Sequence, residues 1–272
     1  MKLRTLIDNK QSKKQLKCEH GLSFLLETDE HIILFDVGQS DKFISNAQKM
    51  GVDLTKVDTV VLSHGHYDHT GGLPHFLRIN KKARVLIHRS AFKERFSRSE
   101  VMIKENGIPW RKEMDTFKDR LQLINEDTQL APGIRLLTNI EAVDGHEVSN
   151  QRLVVKKDSD YVPDDFEDEI ILVAQQSDET IVLCGCAHNG IVNILSTVSK
   201  RLNCHKFRCV AGGLHLKGQN TDSIKHVLQG ITDFKVEQWA LNHCTGDKAF
   251  ELFENTQSGT VTYCGSGYSL KL

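Results

Sequence analysis

Apolar positions along this chain fall in short runs that end at small or polar residues, and between several runs the spacing changes to that of a helix. Residues 22–26 (LSFLL) and 32–37 (IILFDV) read as neighbouring strands, with TDEH between them as a turn. Residues 41–50 carry helical spacing and stop at Gly51. A strand over 60–63 then runs straight into a histidine-rich loop. The rhythm repeats further on. TIVLCG (180–185) and RCVAGG (208–213) predict strands, as does 236–241. Helices are predicted over 191–200, 221–231 and 247–254, the second with Asp222 in its acid-favouring first turn. VTYC and YSLKL close the chain as β segments.

Strands and helices thus alternate in both halves, with antiparallel-looking strands at the start. This predicts a layered α/β (α+β) protein, read as a single domain over 1–272. No short repeat or low-complexity segment interrupts it. The middle differs. Residues 89–112 are basic and helix-like, with Arg89, Lys93, Arg95, Arg98, Lys104, Arg111 and Lys112. Residues 158–169 are acidic, with Asp158, Asp160, Asp164, Asp165, Glu167, Asp168 and Glu169. Both are read as parts of an insertion around 89–168. A solvated surface accounts for each. A sharper reading lays the basic part over an active-site mouth, where Lys93 and Arg95 would contact a phosphorylated substrate.

A formal net charge of -1 argues against a nucleic-acid or acidic-membrane partner. The first residues, MKLRTLIDNK, hold no apolar core of a signal peptide, and no stretch approaches the ~20 apolar residues of a membrane helix. Seven cysteines show neither a disulfide framework nor a CxxC knuckle. Free thiols in a reducing compartment are expected, hence a cytoplasmic location.

Chemistry is concentrated in SHGHYDHTGG, residues 63–72. His64, His66 and His69 with Asp68 form a dense set of nitrogen and oxygen ligands directly after an apolar strand. Such a set suits Zn²⁺, Fe or Mn. Gly65 lets the backbone bend between the first two histidines. A polar loop of merely hydrogen-bonded histidines is the bland alternative, and this density of ligands disfavours it.

H-x-H-x-D-H after a buried strand resembles the signature of the metallo-β-lactamase superfamily. The resemblance implies an αββα sandwich with two metals at one edge of its sheets. His64 and His66 would bind one metal, Asp68 and His69 the other. Later elements extend the likeness: CGCAHNG (184–190) and ALNHCTG (240–246), where His243 stands as the final histidine ligand. One branch is more similar still, the archaeal dihydropterin–ribofuranosylaminobenzene phosphate synthases and their relatives. CEHGLSFLLE, LFDVG, LSHGHYDHTGGL, GCAHNGIVNIL, GGLHL and HCTG carry that resemblance across nearly the whole chain.

The chain departs from the superfamily pattern in two places. Where the bridging Asp of a G-D motif is expected, the strand ends Gly185-Cys186. No middle His in a PGH context precedes it, although His75, His88 and His146 lie upstream. His188 is the preferred replacement ligand; Cys186, as a thiolate or as a small apolar residue, is the alternative. His215 is assigned to substrate contact or proton transfer, with a structural role as its rival. His20, in CEHG, either faces the same edge or is structural. Asp36 serves as a turn former and as a carboxylate orienting a ligating imidazole. Thr245 is a candidate helix cap after His243.

Two divalent metals, expected to be Zn with Fe or Mn as alternatives, can activate water and polarise a substrate oxygen. The expected function is hydrolysis of a small ester or phosphorylated substrate, with Asp68 as catalytic group as well as ligand. The close branch implies another use of the site: transfer of a dihydropterin-methyl group from its diphosphate to an aryl amine, releasing pyrophosphate. A metal-binding sensor with little turnover is the reading from a different class. Redox work at a di-iron centre ranks below these, because no flavin motif is present. Nuclease action does too, in the absence of a basic, aromatic-rich domain.

Overall fold

The computed structural model describes residues 1–146, 148, 151–176 and 179–272. These fall into two compact units, each with its own sheet and core. The first comprises Met1–Asn125, Ser149–Asp168 and Gly265–Lys271; the second comprises Glu126–Val148 and Glu169–Cys264, with Leu272.

The first unit holds a seven-stranded sheet ordered Ser269–Lys271, Lys2–Ile7, Ser23–Glu27, Ile32–Phe35, Thr59–Leu62, Arg84–His88, Leu121–Ile124. Pairing is antiparallel as far as Ile32–Phe35 and parallel beyond it. Thr59–Leu62 (TVVL) is buried along its whole length, as a parallel strand covered on both faces must be. Its core joins Leu34, Val60 and Val85 of the sheet to Phe43 and Ala47 of helix Lys42–Lys49 and to Phe76 of helix Leu73–Ile79. Each of the leucine, valine and phenylalanine side chains among them contributes roughly 1.5–3 kcal/mol on burial.

The second unit repeats the plan. Its seven strands run Thr260–Tyr263, Gln238–Leu241, Cys209–Gly212, Glu179–Leu183, Ile171–Gln176, Ile134–Leu137, Thr128–Ala131. Here too the strands are parallel on one side of the sheet and antiparallel on the other. Helices Ile191–Leu202, Thr221–Gly230 and Asp247–Thr256 supply the apolar partners of Val182, Val210 and Trp239. The strands and helices expected outside the middle segment are found, with ends shifted by a residue or two. The repeat of architecture has no counterpart as a repeat of sequence.

The middle segment differs from its expected form. Residues 89–112 are not a long helix. They contain a 3₁₀ turn, the strands Arg95–Arg98 and Ile103–Glu105, and the start of a second 3₁₀ turn at Arg111. Those strands pair with Leu153–Lys157 and Asp160–Pro163 in a separate four-stranded sheet. The pattern RFSR alternates with period two, which is a strand signal. Residues 147, 149 and 150 of the expected insertion lie outside the described residues. Leu121–Ile124 from the same stretch is a regular strand of the first sheet, and Thr128–Ala131 and Ile134–Leu137 belong to the second. Among the described residues no helix is long and apolar enough to cross a membrane.

Candidate metal centre

Turns rich in candidate donor side chains follow the carboxyl ends of parallel strands in both units, where α/β proteins gather their sites. In the first unit, Thr59–Leu62 delivers Ser63 and the HGHYDH turn, and Ile32–Phe35 delivers Asp36. His64, His66, Asp68 and His69 are all buried. Nε2 of His64 lies 3.0 Å from Nδ1 of His66. Nε2 of His69 lies 3.8 Å from Oδ2 of Asp68. A tetrahedral zinc with bonds of ~2.0–2.2 Å sets its ligand atoms roughly 3.3–3.6 Å apart. The two separations bracket that range, one a little below it and one a little above, and the pairs are the two sets that the family resemblance implies.

Asp36 fixes this arrangement. Its Oδ2 accepts from His69 Nδ1 at 2.6 Å and from Ser63 Oγ at 2.7 Å, and its Oδ1 accepts from Ser63 N–H at 2.7 Å. Ser63 Oγ also lies 2.9 Å from His64 Nδ1. Such partners leave Nε2 of His69 and of His64 turned toward the ligand side. Asp36 itself has φ +62°, a left-handed conformation that Asp tolerates better than most residues. His20, half exposed, brings Nε2 to 3.1 Å from Asp68 Oδ2. Of its two expected roles, it takes the one beside the site.

The acidic run contributes from inside rather than from the surface. Asp168 Oδ2 accepts the Gly65 N–H at 2.7 Å, gripping the backbone between His64 and His66. Its Oδ1 is 2.6 Å from Nη2 of Arg95. Arg95 donates from Nε to Asp164 at 2.7 Å and from Nη1 to the Ala91 carbonyl at 2.7 Å. At 1% exposure Arg95 lies in the interior, held by two carboxylates, rather than at a surface open to substrate. Burial raises the Asp168 carboxyl, and the Arg95 charge opposes that rise. Gly65 is needed here for space, because a Cβ would stand 2.1 Å from the Ala91 carbonyl oxygen. Lys93 is part-exposed and pairs with Glu167 at 2.9 Å.

The second unit presents its own donors. Glu179–Leu183 leads to Cys186 and His188, Cys209–Gly212 to His215, and Gln238–Leu241 to His243 and Cys244. Ala187, His215 and His243 all have φ between +51° and +53°. Non-glycine residues in that region carry strain of order 1 kcal/mol or more, and such strain clusters at functional sites. Glu169 clamps the first of these turns, accepting from His188 N–H at 2.7 Å and Asn189 N–H at 2.9 Å. Cys186, His188 and His215 bring one donor atom each within 4.8 Å of one another; so do Cys186, His243 and Cys244. Cys244 Sγ accepts the His215 backbone N–H at 3.2 Å. Burial works against a Cys244 thiolate, but hydrogen bonding with Cys186 and His215, together with the His243 and His215 charges, outweighs it and holds this thiol well below the ordinary value. Gly213 makes room, since a Cβ would meet Cys244 Sγ at 2.5 Å. Thr245 does not cap the following helix, whose N-cap is Gly246; its hydroxyl accepts from Leu214 N–H instead.

The sequence reading placed Asp168 and Glu169 in a solvated acidic run and gave Cys244 no role, whereas both acids are buried. A signal existed for the two acids: they directly precede the apolar run IILVA and so sit where a charge needs a partner.

Fold and donor sets together define a family. Residues 16–149 match the sequence profile of the metallo-beta-lactamase superfamily. A solved metal-dependent hydrolase of the beta-lactamase superfamily is 30% identical, with a TM-score of 0.85 over 100% of this chain and 99% of that one. The chain belongs to the metallo-β-lactamase superfamily. Within it, the chain is similar to the 7,8-dihydropterin-6-methyl-4-(β-D-ribofuranosyl)-aminobenzene-5'-phosphate synthase of Methanocaldococcus jannaschii. They share 29% identity over 248 residues, covering 86% of this chain and 84% of the relative. An uncharacterised protein of the same organism is 30% identical over 252 residues, 91% of each chain.

Proposed function

We propose that this protein is a cytoplasmic metal-dependent hydrolase acting on a small ester or phosphorylated substrate. Two divalent ions, zinc by preference, would be held by His64, His66, Asp68, His69, His188 and His243. The observation that carries this reading is the paired geometry in the histidine loop, 3.0 Å between His64 and His66 nitrogens and 3.8 Å between Asp68 and His69 donors.

Bound divalent metals supply Lewis acidity toward a substrate oxygen and ease deprotonation of water near neutral pH. The chain's own groups do the rest. Asp68 orients the water and receives its proton on the carboxylate oxygen left open by the metal, and His20, with Nε2 3.1 Å from Oδ2, offers the proton a way toward solvent. Asp36 keeps the His69 proton on Nδ1, so that Nε2 stays a donor to metal. His215 contacts the substrate. Lys93 is the remaining basic candidate for a substrate phosphate, in competition with Glu167.

A second reading, transfer to an amine, is favoured by the likeness to the dihydropterin synthase over 86% of the chain. In that reaction the carbon–oxygen bond to the diphosphate breaks, a carbon–nitrogen bond forms, and the amine loses a proton. The test begins with elemental analysis of protein purified without chelators, where two equivalents of metal per chain are expected. Phosphoesters, lactones and a dihydropterin-methyl diphosphate are then supplied with and without an aryl amine. Turnover with water alone supports the hydrolase. Turnover only with the amine replaces it with the transferase. Full activity in His64→Ala or Asp68→Ala would overturn both.

A further inference from the structure

Cys186 is surrounded unlike a structural cysteine. Cys184 and Cys209 lie in strands of the second sheet or at their ends, are fully buried, and have thiols pushed up by burial, Cys209 to about 12. Cys186 stands two residues further on, beyond the strand end and outside the apolar cluster that includes Cys184. Its Sγ has ring nitrogens of His188 and His215 within 4.8 Å, and likewise His243 and the sulfur of Cys244. A filler residue would face aliphatic carbon; this one faces three imidazoles. The turn that places it is strained at Ala187 (φ +53°) and is held by both oxygens of buried Glu169. The strain and the clamp fix where the sulfur points.

We infer that Cys186 is a thiolate ligand of the metal centre, bound alongside His188 at the position where the resemblance to the wider superfamily implies an aspartate. This inference rests on the metalloenzyme reading above. Its chemistry follows from replacing oxygen by sulfur. The thiol loses its proton to the solution as the metal–sulfur bond forms, so metal uptake releases one more proton than an all-carboxylate site would. A soft donor favours zinc, iron and cobalt and disfavours manganese and magnesium. Cys244 then has a positioning role, its sulfur tied to the His215 backbone N–H.

Cobalt(II) alone is the probe. Apo-protein reconstituted with cobalt should show a thiolate-to-metal charge-transfer band in the near ultraviolet beside the visible d–d bands. The band should vanish in Cys186→Ser and persist in Cys244→Ser, with d–d bands present in both. If d–d bands appear without a charge-transfer band, or the band survives Cys186→Ser, the thiolate assignment is overturned while the metal site stands. If no cobalt binds at all, the underlying reading falls with it. X-ray absorption at the zinc edge of the unmodified protein tests the same point should Cys186→Ser fail to fold. A sulfur scatterer at ~2.3 Å supports the inference, and a shell of nitrogen and oxygen only at ~2.0–2.2 Å overturns it.

Discussion

Asp36 sits at φ +62° and spends both carboxylate oxygens on three donors, one of them the imidazole of His69. Replacing it with Asn preserves shape and tolerates the left-handed backbone, but removes the carboxylate charge that meets the His69 Nδ1 proton. Asp36→Asn should lower metal affinity by ~10–100-fold at unchanged secondary structure. Competition against a chromophoric chelator measures this, and parent-like affinity would show that the charge is dispensable. His88 gives a prediction in pH. Burial pushes its pKa below the ordinary 6.5, and the charges of Asp168 and Glu167 offset this only in part. Its Nδ1 accepts the Ser90 N–H at 3.1 Å, as a neutral ring can. Below pH 6.5 the unfolded chain binds a proton there that the fold refuses, so stability is full above 6.5 and falls as the pH drops toward the folded value. His88→Asn keeps an acceptor and cannot titrate. Its melting temperature should fall less steeply than the parent's on that acid side; parallel curves would reject the assignment. At this scale the sequence was readable where residue type and neighbours sufficed. Asp36 beside a histidine loop announced its role, whereas Asp168, over a hundred residues from Gly65, did not.

The segment 89–112 shows why one element resisted reading. Its charges suggested a solvated helix, yet Arg95 faces inward because Asp164 and Asp168 meet it there. A buried arginine is readable only when its partners are known, and these arrive nearly seventy residues later, between Asp160–Pro163 and Ile171–Gln176. The same network explains what the segment does for the site: Asp168 links the guanidinium to the Gly65 backbone. Trp110 adds a brace by donating from Nε1 to the Thr70 carbonyl at 2.8 Å. Arg95→Met retains much of the volume but leaves two buried carboxylates without their cation. It should cost ~3–5 kcal/mol in chemical denaturation. A midpoint equal to the parent's would mean that the carboxylates are protonated or solvated in the native state.

The two units are interleaved along the chain, since the first is assembled from three separated segments and the second from segments lying between them. Periodicity could find the strands of each sheet but could not tell that the chain builds the same parallel-plus-antiparallel plan twice, because period-two patterning carries no record of strand order. Connectivity has a consequence for folding. A fragment ending at Asn125 holds most of the first sheet, yet it lacks the edge strand Ser269–Lys271 and the strands Leu153–Lys157 and Asp160–Pro163. It also lacks both carboxylates that meet Arg95. Removing one member of such a buried set is costlier than the median surface pair by several kcal/mol, a large share of the ~5–15 kcal/mol that holds a domain together. The isolated fragment 1–125 should therefore lack near-ultraviolet circular dichroism and melt without a cooperative transition. Mixing it with 126–272, which carries every missing piece, should restore both. A fragment that melted cooperatively by itself would show that the histidine loop's scaffold is complete before the second half of the chain arrives.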